Sequence, residues 1–277
     1  MYYEGPLRIL KTESLSAEEA EVEARFAALV QSRLDEIIAA YEARFGCVID
    51  TDRAREFSPD YCASKASRTR FSRAVYQPAK ALADEIYRRE IRKGAPAEQR
   101  RIVFTSGGTG AGKSTVLATL DAESQSRDQS DIIVDGTLSD YASARTKIRA
   151  ALALAHRVTL VHVHRDFAEA VRMVVQRAIE MGRAVTLDNI AATHFRSAET
   201  LFKLVEEFGG QIEIRVLENS GDQSARLMSL GALAATQARS VDQLRKLAHT
   251  LLVHEFNSLK VDYPEIHEAL FQKGTRR

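Results

Sequence analysis

The sequence predicts an α/β fold, a parallel sheet with helices on both faces, and three observations lead to it. Short apolar runs rich in β-branched residues alternate with longer segments of helical spacing from about residue 47 to residue 220. A glycine-rich loop at residues 107–112 stands between one such run and a helical segment. Alternating strands and helices favour parallel strand order, because each helix carries the chain back across a face of the sheet.

Five strands and five helices are expected in this central part. The strands are predicted at residues 47–49, 101–106, 131–134, 158–163 and 211–217. The helices are predicted at residues 77–92, 113–122, 140–155, 166–181 and 198–208, with a polar loop at 123–130. Gly182 is placed to end the fourth of these helices, because glycine is the preferred residue just past a helix.

Helical segments flank the core on both sides. Ser16 and Glu19 form a capping-box pattern, which predicts a single helix over residues 16–44 that packs outside the site and serves stability. The tail from residue 222 also has helical spacing. We therefore predict a helical arm at 1–46, an α/β core at 47–220 and a helical tail at 221–277.

Composition restricts the class of protein. The chain has 277 residues, 45% hydrophobic and 28% charged, as globular proteins have. Its formal net charge of +1 gives no general attraction to nucleic acid or to a membrane, so neither is expected as a partner. Cys47 and Cys62 have no metal-binding spacing and are expected to be reduced thiols. With neither a signal pattern nor a long apolar segment, the chain is expected to be cytoplasmic.

The glycine-rich loop is a phosphate-binding motif. Residues 107–114 match G-x-x-x-x-G-K-[ST] and follow a predicted strand, as a P-loop requires. Backbone N–H groups would cradle phosphates, Lys113 would reach the β- and γ-phosphates, and the Ser114 hydroxyl would bind Mg²⁺. The predicted ATP-binding residues are Gly107, Gly108, Thr109, Gly110, Ala111, Gly112, Lys113, Ser114 and Thr115. The fold is therefore expected to be of the P-loop NTPase or kinase type.

Other segments narrow the class. Residues 132–137 (IIVDGT) end a strand with an acidic residue and Gly-Thr, and residues 216–219 (VLEN) end the last strand. Residues 176–185 (QRAIEMGRAV), followed by residues 190–197, place arginines on a helix and at the start of a lid segment. Together with the P-loop, these segments resemble the zeta toxin family of P-loop kinases.

The order of the segments departs from that family. The resemblance implies a strand that ends in a catalytic aspartate after the P-loop helix, but Lys113 and Asp135 are too close in sequence to accommodate it. Residues 48–61 (VIDTDRAREFSPDY) resemble that strand and lie before the P-loop. We therefore predict a permuted arrangement, in which residues 48–52 join the same parallel sheet and Asp52 faces the cleft of Lys113.

The resemblance implies roles for Asp52 and for the pair Asp135 and Thr137. Asp52 would be the general base on the acceptor hydroxyl, with Asp50 as its competitor and Asp60 as a weaker one. Asp52 could instead cap the following helix. Asp135 and Thr137 would contact the substrate. Asp135 could also hold a water bound to Mg²⁺, or it could form a turn into the following glycine.

The resemblance also implies cationic residues around the transferred phosphoryl group. Arg177 and Arg183 would supply its positive charge, with Arg172 and Arg196 as alternates, or they could be solvated arginines at a helix end. His194 would touch substrate or merely pack. A basic cluster would suit a diphosphate or form a solvated helix face; its members are Lys65, Arg68, Arg70 and Arg73. His162 and His164 are expected to be buried and hydrogen-bonded.

These observations imply a kinase that needs ATP and Mg²⁺. By resemblance, the acceptor is a small-molecule hydroxyl, as in a UDP-activated amino sugar such as UDP-N-acetylglucosamine, and an antitoxin protein is a candidate partner. Two alternatives remain open at this stage. The chain could phosphorylate another metabolite or a nucleic-acid 5′-end, or it could be an ATP-binding switch that transfers nothing.

Overall fold

The structure, a computed structural model, describes residues 7–93, 100–116, 132–221, 225–255 and 259–272. Six strands form one sheet in the order β1-β3-β2-β4-β5-β6. The strands are β1 (Val48–Asp50), β2 (Arg101–Ser106), β3 (Ile132–Asp135), β4 (Arg157–His164), β5 (Glu213–Glu218) and β6 (Arg226–Leu227). β1 to β5 pair in parallel, and the short β6 pairs antiparallel with β5 at the edge. The predicted α/β fold is confirmed.

β1 lies in the same parallel sheet as β2 and β3, as the permuted arrangement predicts. β1 pairs in parallel with β3, so that Asp50 is the register partner of Asp135. β3 pairs in turn with β2, the strand that leads into the P-loop. The carboxyl ends of all three strands therefore meet at one edge, where open α/β sheets place their ligands. β1 ends at Asp50, however, and Asp52 lies in the first turn of the next helix.

Helices cover both faces of the sheet. On the N-terminal side are α1 (Ala17–Ser32), α2 (Leu34–Phe45), α3 (Thr51–Ala54), α4 (Pro59–Cys62), α5 (Lys65–Phe71) and α6 (Tyr76–Glu90). The central helices are α7, whose first turn is residues 113–116, α8 (Tyr141–Ala153), α9 (Phe167–Met181) and α10 (Leu187–Phe208). The tail contains α11 (Leu230–Thr236), α12 (Val241–Glu255), α13 (Leu259–Asp262) and α14 (Pro264–Phe271). Residues 117–131, where the rest of the P-loop helix and the polar loop are predicted, lie outside the described residues.

The N-terminal arm is two helices, and the prediction of one helix over residues 16–44 was wrong. The capping box at Ser16 and Glu19 is present, but the helix ends at Arg33, whose φ is −128°. Asp35 and Glu36 lie in the first turn of α2, where negative side chains are favourable, and Arg33 donates to Glu36 at 2.5 Å. The local charges therefore favour a second helix start at this point.

The segment expected to be a lid is helical, and this also corrects the prediction of a helix over residues 198–208. Thr186 caps α10 by accepting from the backbone N–H of Asn189 at 3.3 Å. Leu187, Ile190 and Ala191 then continue the apolar spacing and are buried. A polar N-cap followed by a buried apolar stripe is enough to start the helix eleven residues earlier than predicted.

The two larger apolar clusters of the described residues hold these layers together. The larger lies between the sheet and α1, α2, α6, α8 and the second half of α10, with Phe26, Leu82 and Phe104 among its fully buried side chains. The smaller joins α9 and the first half of α10 to α12 and α14. The arm and the tail thus share apolar clusters with the central part. The division into arm, core and tail stays a prediction. None of the helices described here has both the length and the apolar character needed to cross a membrane.

Candidate active site

The P-loop has the backbone that its glycines allow. Gly107 and Gly110 adopt φ angles of +136° and +86°, in the region that favours glycine. A Cβ on Gly107 would lie 2.3 Å from the carbonyl oxygen of Val163, and one on Gly110 would lie 2.2 Å from that of Ala170. The loop is thus packed tightly against β4 and α9, and its glycines are sterically required.

Lys113 lies directly over this loop. Its Nζ donates to the carbonyl oxygens of Gly107 at 3.0 Å and of Gly108 at 3.2 Å. Burial lowers the pKa of Lys113, while the nearby charge of Asp135 opposes that shift. Neutral carbonyls are weaker partners for an ammonium than phosphate oxygens are, so the side chain is poised for a stronger acceptor.

Ser114 and Asp135 come together at the carboxyl end of β3. The Ser114 hydroxyl donates to Asp135 Oδ2 at 3.3 Å, and the Thr105 hydroxyl donates to Asp135 Oδ1 at 2.6 Å. Thr105 also accepts from the backbone N–H of Gly136 at 3.0 Å, which fixes the strand end. A hydroxyl beside a carboxylate provides the oxygen ligands that Mg²⁺ prefers.

Asp50 and Asp52 have different places in the site. Asp50 caps α3 by accepting from the backbone N–H of Asp52 at 2.8 Å, so the capping role considered for Asp52 belongs to its neighbour. Burial, together with the charges of Asp52 and Asp135, raises the pKa of Asp50 to about 7. Asp52 directs its carboxylate to two arginines instead, at 3.0 Å from Arg55 and in contact with Arg183.

The arginines decide the protonation state of Asp52. Burial by itself would raise the pKa of this carboxyl group. The charges of Arg55, Arg183 and Arg177 outweigh burial and hold the pKa of Asp52 well below its usual range. Asp52 is therefore a firmly ionised carboxylate in this arrangement.

Arg177 and Arg183 lie at and just beyond the end of α9. Among the described residues, the buried Nε of Arg177 has no hydrogen-bond partner. Gly182 ends the helix with φ +70° and accepts from the Thr69 hydroxyl at 2.9 Å, which fixes the start of Arg183 against α5. A buried guanidinium nitrogen without an acceptor is costly, and an anionic ligand would satisfy it.

One cavity of about 1320 Å³ collects most of these groups. Its walls come from the P-loop, the ends of β1 and β3, α5 and one face of α9, with residues of α14 and of the chain around Ser16 at its border. The predicted site residues that line it are Asp52, Thr109, Gly110, Gly112, Lys113, Ser114, Thr115, Asp135, Thr137, Arg177 and Arg183. Of the basic cluster, Arg70 and Arg73 line it as well. The start of α1 thus borders the site, whereas the arm was expected only outside it.

The histidines occupy positions behind the P-loop. A Cβ on Gly108 would lie 2.9 Å from His194 Nδ1, and the His194 ring packs against Phe167 at 4.9 Å. Burial lowers the pKa of His194 to about 4, with a smaller effect of His164. These contacts favour packing for His194, and a contact with substrate stays a prediction. His162 is buried and shares a hydrogen bond of 3.0 Å with the Ser106 hydroxyl, as expected.

The alternates to the two site arginines lie on the protein surface. Arg172 pairs with Glu169 at 2.5 Å, and both side chains are about half exposed. Arg196 is exposed on α10. Arg177 and Arg183 are therefore the better placed pair for an anion in the cavity.

Sequence reasoning missed two features of the site. Arg55 contacts Asp52 and lies over the Tyr76 ring at 5.4 Å from its centroid. The D-x-x-R spacing of Asp52 and Arg55 was the available signal, but the same spacing is common in solvated helix pairs. The second feature is Met181, the last residue of α9, which is 47% exposed and lines the cavity with Met173.

Comparison with known proteins agrees with the predicted resemblance. The zeta toxin family model matches residues 127–225, a segment that contains Asp135, Arg177 and Arg183. The resemblance to that family is thus confirmed over this segment, and the P-loop and Asp52 lie before it. No curated protein matches the chain.

One similar solved structure comes from a study of the PezAT chromosomal toxin–antitoxin system of Streptococcus pneumoniae. It is 13% identical, covers 63% of this chain and 94% of its own, and has a TM-score of 0.39. Because this likeness is low, the fold assignment rests on the strand order and pairing of the sheet itself.

Proposed function

We propose that the protein is an ATP-dependent phosphotransferase that acts on the hydroxyl group of a small molecule. The observation that carries the proposal is the single cavity lined by the P-loop Lys113, by Asp52 and by the arginines 177 and 183. Phosphoryl transfer needs these parts together, because base and γ-phosphate must face the same space. The match to the zeta toxin family supports kinase-like activity.

The residues of the site suit ATP and Mg²⁺. The P-loop N–H groups and Lys113 would hold the phosphates. The Nε of Arg177, which has no hydrogen-bond partner in the described part of the chain, would find an acceptor there. Ser114 would bind Mg²⁺, with Asp135 beside it at 3.3 Å. When bound, Mg²⁺ would neutralise part of the charge on the phosphate oxygens.

Asp52 is the proposed general base. Its carboxylate would accept the proton of the acceptor hydroxyl as the oxygen attacks the γ-phosphorus. Lys113, Arg177 and Arg183 would stabilise the charge on the transferring group. Asp50, whose pKa is raised to about 7, stays the alternative base.

The size and charge of the cavity support a second ligand beside ATP. Pockets for one small molecule usually have about 300–1,000 Å³. The cavity of about 1320 Å³ exceeds that range and carries Arg70 and Arg73 on its wall. We propose a UDP-activated amino sugar as the acceptor, with its diphosphate near these arginines, because the family resemblance implies that class. An antitoxin partner is a further proposal from the same resemblance, and a cytoplasmic location stays a prediction.

The test is incubation with γ-labelled ATP, Mg²⁺ and a panel of sugar nucleotides, followed by mass analysis. The proposal expects one acceptor that gains a single phosphoryl group while ADP forms. Lys113→Ala should abolish the product, whereas Lys203→Ala, a surface lysine paired with Glu199, should leave it unchanged. Binding of ATP with no transfer to any sugar nucleotide, metabolite or nucleic-acid end would favour a nucleotide switch and contradict the proposal.

A further inference from the structure

The two carboxylate oxygens of Asp52 have different partners. Oδ1 lies 3.0 Å from Nη1 of Arg55, which stands one turn further along the same segment. Oδ2 contacts Nη2 of Arg183, which follows the end of α9. Each oxygen is therefore held by an arginine from a different structural element.

Arg55 is held more firmly than a surface arginine would be. Its Nη1 also donates to the Ser72 hydroxyl at 3.3 Å, and its guanidinium lies over the Tyr76 ring. The side chain is only 14% exposed. Contacts with Ser72, just after α5, and with Tyr76, the first residue of α6, thus fix Arg55 independently of Asp52.

Arg183 has a second anion within its reach. It lines the same cavity as Lys113 and Arg177, where the proposed function places the γ-phosphate. A phosphoryl group with several anionic oxygens competes well with one carboxylate oxygen for a guanidinium. The contact between Arg183 and Asp52 is therefore the exchangeable one of the two.

We propose that Arg55 is a positioning residue that keeps Oδ1 of Asp52 in place while Oδ2 exchanges Arg183 for the acceptor hydroxyl. This inference rests on the proposed function. Arg183 turns to the γ-phosphate, and Oδ2 becomes free to accept a hydrogen bond from the acceptor. Arg55 stays bound to Oδ1 and preserves the direction of the carboxylate.

In the transfer step, the acceptor oxygen forms a bond to the γ-phosphorus as its proton moves to Oδ2 of Asp52. The bond from the γ-phosphorus to the bridging oxygen of ADP breaks, and ADP leaves with those electrons. Asp52 afterwards returns its proton to water, and Arg183 pairs with Oδ2 again.

The exchange also changes the basicity of Asp52. Loss of Arg183 removes one nearby positive charge and raises the pKa of Asp52 toward its usual range, whereas Arg55 keeps it from rising further. Other charged or titratable groups face the same carboxylate from β1, α4, the P-loop and α9, and they are Asp50, Tyr61, Lys113 and Arg177. The charge of Arg55 should therefore be visible in the pH dependence.

The test compares Arg55→Gln, Arg55→Lys and a matched control, Arg53→Gln. Arg53 lies in α3, two residues before Arg55, but its guanidinium lies over the Phe45 ring. The acid limb of kcat, where the rate rises with pH as Asp52 ionises, should move up by about one pH unit in Arg55→Gln. Arg55→Lys should restore most of that position, and Arg53→Gln should behave as wild type.

A second measurement needs no nucleotide. Carboxyl ¹³C NMR of the free protein, with Asp52→Asn used for assignment, should show a higher pKa for Asp52 in Arg55→Gln than in wild type. An unmoved acid limb together with an unchanged Asp52 titration in folded Arg55→Gln would overturn the proposal, whatever the loss of rate. Wild-type transfer by Asp52→Asn would instead overturn the assignment of Asp52 as the base, on which this inference rests.

Discussion

Replacement of Lys113 tests the proposed phosphate-binding role of the P-loop. It lies over the loop on two neutral carbonyls, and its replacement by alanine removes a charge without opening an apolar core. Lys113→Ala should lower turnover by about 10²-fold or more, because a preorganised electrostatic contact is lost. Turnover is measured beside the melting temperature. Wild-type turnover in a folded Lys113→Ala protein would contradict the phosphate-binding assignment.

Arg177 and Arg183 should matter most during the transfer itself. Their charge interacts more strongly with the transferring group than with bound ATP, so alanine variants should lower kcat more than ATP affinity. The comparison needs kcat and the dissociation constant of ATP for each variant, with the exposed Arg196→Ala as control. An effect confined to ATP affinity would show that both arginines bind ATP but do not stabilise the transferring group.

Asp50 predicts a pH effect on stability. Its pKa is about 7 in the folded state against 3.8 for the ordinary group, so the folded state holds a proton that the unfolded state has released between these values. The contribution of Asp50 to the free energy of unfolding should therefore fall as pH rises from about 4 to about 7. Asp50→Asn keeps a capping side chain and should remove this contribution, so its free energy of unfolding should depend differently on pH in urea unfolding. An equal slope in both proteins would contradict the raised pKa.

At the scale of elements, the turn after α9 directs Arg183 into the cavity. Gly182 has φ +70°, and a Cβ there would lie 2.3 Å from the carbonyl oxygen of Lys65. Gly182→Ala should cost about 1–2 kcal/mol from the left-handed backbone alone, with a further cost from this clash. It should also lower kcat, because Arg183 is displaced.

Gly210→Ala is the matched control for this turn. No atom of the described residues lies within 4 Å of a Cβ at Gly210, so its substitution should leave both stability and kcat nearly unchanged. The two variants are compared by urea unfolding and by turnover. Equal stability and turnover of both would show that the turn does not position Arg183.

Sequence patterns predicted the existence of strands and helices better than the residues at which helices begin and end. The strands of the core were found within about three residues because buried apolar runs bounded by polar residues are distinctive. The break at Arg33 was missed because apolar spacing continues across it from α1 to α2. The early start of α10 was missed because the segment from Thr186 was interpreted as a lid by resemblance.

For the whole molecule, the place of β1 could not come from local pattern. Its pairing with β3 joins Val48 to Ile133 across more than eighty residues, and only the family resemblance suggested it. The P-loop and Asp135 were identified from their own motifs. Arg55 was missed because its contacts with Asp52, Ser72 and Tyr76 depend on how α3, α5 and α6 pack together.

The packing of the described residues places Asp52, the proposed base, and the P-loop on one cavity. Single-turnover transfer by Asp52→Asn tests the proposed role of this cavity most directly. Asparagine preserves shape but cannot accept the proton, so phosphoryl transfer should fall by about 10²-fold or more while ATP binding is retained. Transfer at the wild-type rate by Asp52→Asn, with Asp50→Asn inactive, would place the base two residues earlier. Wild-type transfer by both variants would contradict the account of this site.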